Sequence, residues 1–228
     1  MRRLLAIGGS VDAVTPGKVL REFYKLAGGD GARLVIITTA SSDENAGDIY
    51  HHAFKDLGIR HAPIILKIHD REEANQDEIV KEIRAATAVF FTGGNQIRLT
   101  SILGGTRGLS ELIRAADDGI LIGGTSAGAS CLSTIMIAYG RRGIAPLKGM
   151  AQFVPGLAFT NEMIFDQHFS QRSRLGRLLF AVSNHPGMLG VGIDENTAIY
   201  FADRSLTVIG QRTVMILDAS GMNHTNVS

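Results

Sequence analysis

Five short apolar runs constrain this chain more than any other feature of its sequence. Leu4 to Ile7, Leu34-Val35-Ile36-Ile37, Ile64-Ile65-Leu66, Val89-Phe90-Phe91 and Ile120-Leu121-Ile122 show no alternation of apolar with polar residues. A strand with one wet face alternates, so these runs read as strands covered on both faces. The segments between them carry helix signals. Thr15-Pro16 reads as an N-cap followed by proline at the first helical position, opening a helix to about Leu26 that stops at Gly28-Gly29. A second helix is expected from Asp43 to Leu57, ending at Gly58. Asp70-x-x-Glu73 resembles a capping box that opens a third, to about Ala86. Strands alternating with helices give an α/β fold with a doubly wound, mostly parallel sheet. The C-terminal third differs. Gly190 to Asp194, Ala198 to Ala202, Leu206 to Ile209 and Val214 to Leu217 read as short strands in succession, expected to form an antiparallel extension.

No linker, repeat or low-complexity segment interrupts the chain, so residues 1–228 are expected to form one large domain. The formal net charge is +1, which supplies no global field toward nucleic acid or membrane. The single cysteine, Cys131, excludes an internal disulfide. The apolar run after Met1-Arg2-Arg3 is too short for a signal peptide or a membrane span. A cytoplasmic location, with neither nucleic acid nor membrane as partner, is expected.

In open α/β sheets, ligands bind at the carboxyl ends of the strands. Two loops fall there, Thr92-Gly93-Gly94-Asn95-Gln96 and Gly123-Gly124-Thr125-Ser126-Ala127-Gly128-Ala129. The second contains Gly124-x-Ser126-x-Gly128, a nucleophile-elbow pattern. A sharp strand-to-helix turn puts the serine hydroxyl at the top of a sheet, and the glycines leave room for the neighbouring strand and helix. The small-residue segment from Ala127 to Ala138 can start the helix, whose first N–H groups would face a developing oxyanion. A bare match fits a glycine-rich turn with a capping serine equally well. The flanking strand and helix patterns favour a nucleophile.

A serine hydroxyl needs a base and an orienting carboxylate. Of seven histidines, His51, His52 and His61 fall in or beside a helix with no special context. His168 differs: it sits in Phe165-Asp166-Gln167-His168-Phe169, just before a patterned helix. Leu175, Leu178, Leu179 and Val182 share one face of that helix, Arg174 and Arg177 fall on another, and Arg172 lies at its start. By composition alone, a buried loop histidine beside a solvated basic face describes this segment as well. Ile193-Asp194-Glu195-Asn196-Thr197 offers carboxylates that could orient a histidine; its default reading is a turn. No metal-ligand spacing and no phosphate loop is present, and Cys131 reads as core packing.

Taken together, these residues resemble the cyanophycinase family, a serine peptidase group that also contains the aspartyl dipeptidases. The resemblance rests on Phe91 to Gln96, on Gly123 to Ala129, on Asp166-Gln167-His168-Phe169 with Arg172, Arg174 and Arg177, and on Asp194 to Ala198. It implies a flavodoxin-like domain related to class I glutamine amidotransferase domains, a homodimer, and no cofactor or metal. The implied reaction is release of β-Asp-Arg dipeptides from cyanophycin, a poly-aspartate carrying arginine on its side chains. Ser126 would then be the nucleophile, His168 the base and Glu195 its orienter. Gly94 and Ala127 would supply oxyanion N–H groups, and Gln96, Asp166, Gln167, Arg172, Arg174 and Arg177 the substrate pocket. Ser126 would attack the β-aspartyl carbonyl, and water activated at His168 would hydrolyse the acyl-enzyme. Family members usually continue with further strand where this chain has a polar tail, Ala219 to Ser228. An aspartyl or isoaspartyl dipeptidase would keep the nucleophile without the arginine cluster. A non-catalytic binding relative would not need Ser126, His168 and Glu195 together.

Overall fold

The computed structural model describes residues 2–227. Its elements run β1 (Arg3–Ile7), α1 (Lys18–Ala27), β2 (Leu34–Ile37), α2 (Asp48–Asp56), β3 (Ile64–Leu66), α3 (Asp77–Ala85) and β4 (Ala88–Phe91). Then come α4 (Gln96–Leu103), α5 (Arg107–Asp117), β5 (Leu121–Thr125), α6 (Ala127–Ser130), β6 (Ile135–Gly140), β7 (Ala151–Pro155) and β8 (Met163–Gln167). The chain finishes with α7 (Leu175–Asn184), β9 (Leu189–Ile193), β10 (Thr197–Ala202), β11 (Ser205–Gly210) and β12 (Val214–Leu217).

Seven strands form the main sheet in the order β11-β10-β1-β5-β4-β2-β3. β1, β5, β4, β2 and β3 are parallel, as the unbroken apolar runs require. β1 shows why those runs do not alternate. Leu4 and Ala6 enter the core beneath α3, α4 and α5; Leu5 and Ile7 enter the opposite core against α1 and α2. Both faces are dry, so each residue of Leu4–Ile7 is at most 1% exposed.

The C-terminal strands depart from a single antiparallel extension. β10 pairs antiparallel with β1 and β11 with β10, extending the main sheet. β9 and β12 instead join β8 in a separate three-stranded sheet, ordered β12-β9-β8. There β9 runs parallel to β8, because α7 carries the chain back between them as a crossover. β6 and β7 form a hairpin of their own.

Several helix boundaries also move. α1 starts at Lys18, after Gly17, and Thr15-Pro16 does not cap it. The preceding loop is held elsewhere: Asn196 Nδ2 donates to Asp12 Oδ2 at 2.6 Å, and Asp12 N–H returns a bond to Asn196 Oδ1 at 3.3 Å. Asp43 accepts from Asn45 N–H in a local turn, which delays α2 to Asp48. Asp70 does accept from the N–H groups of Glu72 and Glu73, and Glu73 accepts from His69 N–H. That capping opens only one short turn, because Asn75 is drawn to Arg107 at the start of α5. After Ser126 the helix lasts one turn, and the chain then extends into β6. α4 and β7 lie in short stretches with broken apolar patterns, whereas α5 carries Leu109, Leu112, Ile113 and Ala116 at helical spacing and β8 the apolar run Met163-Ile164-Phe165.

Candidate active site

β5 lies at the centre of the sheet, and the chain turns sharply at its end. Ser126 holds φ 53° and ψ −113°, and its N–H donates to Ile7 C=O of β1 at 3.0 Å. The elbow glycines are fixed by close approach. A Cβ on Gly124 would lie 2.3 Å from Gly128 C=O, and one on Gly128 would lie 2.4 Å from Phe91 C=O. The hydroxyl is thereby lifted above the sheet, as the pattern predicts.

β8 ends beside it. His168 N–H donates to Gly8 C=O at 2.7 Å, which draws the histidine onto the end of β1. Its Nε2 lies 2.9 Å from Ser126 Oγ, and its Nδ1 lies 2.7 Å from Glu195 Oε1. With Nδ1–H donating to the carboxylate, the Nε2 lone pair faces the serine proton. Glu195 stands in the turn from β9 to β10. That turn is also tied to β1, through Asn196 N–H to Gly9 C=O at 2.9 Å. Three bonds from Ile7, Gly8 and Gly9 thus gather the serine, the histidine and the carboxylate. The Gly8-Gly9 pair, which the sequence presents only as the end of a strand, is the frame of the site. Gly9 lies flat beneath the imidazole at φ +99°. Ser10, Ser126, His168 and Asn196 are all non-glycine residues with φ between 45° and 53°.

Burial pushes the His168 imidazole below its ordinary value of 6.5; the Glu195 bond opposes this, and Arg172 and Arg174 add to it. The bond to His168 holds the Glu195 carboxyl below its ordinary value despite desolvation. A neutral base beside an ionised carboxylate is the state that can accept a serine proton.

Ser126 opens on a cavity of about 340 Å³ bordered by Gly94, Gln96, Tyr139, Gln167 and the three arginines. Its two glutamines are turned in opposite senses. Gln96 Nε2 donates to the carbonyls of Ile137 and Ala138 at 3.1 and 2.9 Å, which leaves its oxygen for the cavity. Gln167 Oε1 accepts from Ser130 Oγ at 2.8 Å, which leaves its NH₂. Ser130 falls four residues past the nucleophile, one helical turn on; that spacing is the only sequence signal for it.

The arginines, equivalent in the sequence, are not equivalent in space. Arg177 is buried and grips Asp166 with two prongs, Nε to Oδ2 at 2.7 Å and the second nitrogen to Oδ1. Arg174 donates to Gln167 C=O and reaches Asp166 at 3.4 Å. Burial lowers Arg174 to about 10, against the attraction of Asp166 and with the repulsion of Arg177, Arg172 and Arg142. Arg172 is exposed on the cavity and has no protein acceptor among the described residues. Asp166 is 0% exposed and does not reach the cavity wall. Its carboxylate anchors arginines, where the sequence grouped it with residues that would touch substrate.

The N–H groups of Gly94 and Ala127 donate to no backbone acceptor among the described residues, so both remain available beside Ser126. Cys131 is buried, its thiol donates to Gly128 C=O at 3.1 Å, and burial pushes it far up. It packs and cannot act as a thiolate. No cluster of metal-ligating side chains occurs among the described residues.

The chain is 40% identical over 226 residues to the cyanophycinase of Synechococcus elongatus, covering 98% of this chain and 70% of that protein. It is 38% identical to the cyanophycinase of Geminocystis herdmanii, covering 98% and 83%. The crystal structure of a peptidase from an acI-B1 actinobacterium superposes with a TM-score of 0.75 at 23% identity, over 96% of this chain and 91% of that one, a likeness of fold. No helix among the described residues is long and apolar enough to cross a membrane. Residues 4–209 match Peptidase family S51, and the chain belongs to that family of serine-type peptidases.

Proposed function

We propose that this chain is an exopeptidase that degrades cyanophycin, releasing β-Asp-Arg dipeptides through an acyl-enzyme on Ser126. One observation carries the reading: the Ser126–His168–Glu195 relay, with contacts of 2.9 and 2.7 Å, opens on a cavity holding a guanidinium without a partner among the described residues, Arg172. Each polymer unit presents carboxylate and guanidinium groups. Arg172 and the Gln167 NH₂ suit the first, and the Gln96 oxygen suits the second. Arg174 and Arg177, with Asp166 behind them, hold that wall in shape.

Atom balance locates the bond that breaks. The released dipeptide keeps its arginine on the aspartate β-carboxyl, so the scissile amide joins successive aspartates of the backbone. Attack falls on that backbone carbonyl and not on the β-aspartyl carbonyl. Ser126 passes its proton to His168 Nε2 as Oγ bonds to the carbonyl carbon. The N–H groups of Gly94 and Ala127 meet the oxyanion. The imidazolium, steadied by Glu195, gives its proton to the departing amine. Water then attacks the ester, with His168 taking its proton and returning it to Oγ. Every step uses groups of this chain.

The reading extends to a one-domain, cytoplasmic homodimer, which the family resemblance supports and which sizing and fractionation test. An aspartyl dipeptidase is the second reading; Arg172, with no acceptor among the described residues, favours the polymer. The deciding assay incubates the protein with cyanophycin, β-Asp-Arg and α-Asp-Arg and weighs the products. β-Asp-Arg should accumulate from the polymer while both free dipeptides persist. Ser126→Ala should lower the rate by about a million-fold. Cleavage of free dipeptides alone would establish the second reading, and undiminished turnover by the variant would overturn both.

A further inference from the structure

Beyond the arginines the cavity wall does not close. Tyr139 and Gly140, which border the catalytic cavity, also border a second one of about 300 Å³, whose other walls include Arg141, Met150 and Gln152. The two cavities therefore meet at the end of β6. The loop from 141 to 150 is fastened to the start of α7. Gly143 N–H donates to Ser173 C=O at 2.7 Å, and Gly176 N–H donates to Gly143 C=O at 2.9 Å. These bonds hold the second cavity in fixed register with Arg172 and Arg174.

The chemistry of its walls repeats that of the first cavity. Residues 139–152 contain Arg141, Arg142 and Lys148 and no carboxylate. Arg141 is exposed, and neither its guanidinium nor the Gln152 amide finds a protein partner among the described residues. Tyr139, 60% exposed, stands where the two cavities join, an aromatic face open to a cation. A cationic donor, an amide and an open ring are what a unit bearing one carboxylate and one guanidinium requires.

The geometry points to a second subsite, built on the β6–β7 hairpin, that takes the next β-aspartyl-arginine unit of the polymer. The unit beside the scissile bond lies between Arg172, Gln167 and Gln96. The one beyond it, on the retained side of the chain, crosses Tyr139, with its carboxylate on Arg141 and its guanidinium over the ring. This inference rests on the polymer reading above and makes the enzyme a sensor of chain length.

The test compares kcat/KM for synthetic chains of two and three β-Asp-Arg units. Only the longer chain fills the second subsite. In the wild type the three-unit chain should be favoured by about ten-fold, the effect of one charge-assisted hydrogen bond. Arg141→Ala and Gln152→Ala should bring that ratio toward one, and Arg141→Glu should lower it further by repelling the carboxylate. A wild-type ratio near one, or an unchanged ratio in the variants, would overturn the second subsite while leaving the proposed reaction standing. Failure of the wild type to cleave either chain would overturn the reaction and the subsite with it.

Discussion

The bracing of His168 by Gly9 allows a sharp test, because one methyl group should disable the enzyme without touching any reacting atom. A Cβ at Gly9 would lie 2.3 Å from His168 Cε1, 2.5 Å from Nε2 and 2.9 Å from Nδ1. Carbon contacts settle at about 3.5–4 Å, so the ring must retreat by more than about 1 Å. The 2.9 Å contact between Nε2 and Ser126 Oγ would then stretch to roughly 4 Å, outside hydrogen-bonding range. Misplacement by about 1 Å costs on the order of a hundred-fold in rate. Gly9→Ala should therefore lower kcat by about a hundred-fold or more, with KM little changed, since the arginine cavity is not involved. Alanine at φ +99° also carries a backbone cost of roughly 1–2 kcal/mol, which alone would reduce stability. Gly29→Ala separates the two effects. Gly29 has φ +62°, and a Cβ there meets nothing within 4 Å, so the backbone cost is present and the clash is absent. Steady-state kinetics and urea unfolding of both variants decide the matter. If Gly9→Ala kept kcat within about three-fold of wild type, or if Gly29→Ala lost as much, the bracing argument would fail.

Because burial holds His168 below 6.5, the acid limb of kcat/KM should have its midpoint below 6.5. Glu195→Gln removes a group that raises this imidazole, so the limb should move further down while the plateau falls by roughly ten-thousand-fold; an upward move would refute it. The sign carries over to stability: the unfolded chain binds this proton more readily, so His168's contribution is full above about 6.5 and is lost as pH falls through the lower folded value. Arg172→Ala should lower kcat/KM on the polymer about ten- to a hundred-fold with unchanged unfolding free energy. Arg177→Ala should instead cost about 3–5 kcal/mol of stability, since it strands the buried Asp166 carboxylate, and equal stability losses would refute that division. Ser130→Ala frees the Gln167 amide to turn, so KM should rise several-fold at constant kcat and Ser130→Thr should restore it in part; a fall in kcat alone would count against this positioning role.

How much of this was legible in the sequence depends on the range of each interaction. The central strands were readable because burial on both faces leaves an unbroken apolar run in the sequence itself. The elbow was readable because close approach on two sides requires glycine at fixed offsets from Ser126. Helix starts were less so: Thr15-Pro16 has the right local chemistry, yet the loop's bond to Asn196 overrides it. The partner of a strand is invisible to local pattern. β9 and β12 look like β10 and β11, and only the α7 crossover sends them to another sheet. At the site, residue types were legible and their pairings were not. Three arginines within six residues look alike until Asp166, eight and eleven positions before Arg174 and Arg177, claims two of them. Gly9 and Ser130 gave little signal, because each acts through a residue distant in the chain.

The left-handed residues around the relay bear on how this enzyme would fail. Eight non-glycine residues among those described have positive φ, and four of them, Ser10, Ser126, His168 and Asn196, belong to the loops that carry the relay. At roughly 1–2 kcal/mol apiece they hold about 4–8 kcal/mol of conformational strain, comparable with the whole margin of about 5–15 kcal/mol that keeps a domain folded. That strain is released when the three loop ends slip from β1, a motion far smaller than unfolding. Warming should therefore silence the enzyme first and melt it afterwards, and brief cooling should bring activity back. The same margin limits drift in sequence. Substitutions that loosen the end of β1 would extinguish turnover in chains that still fold, leaving inert relatives with the sheet intact.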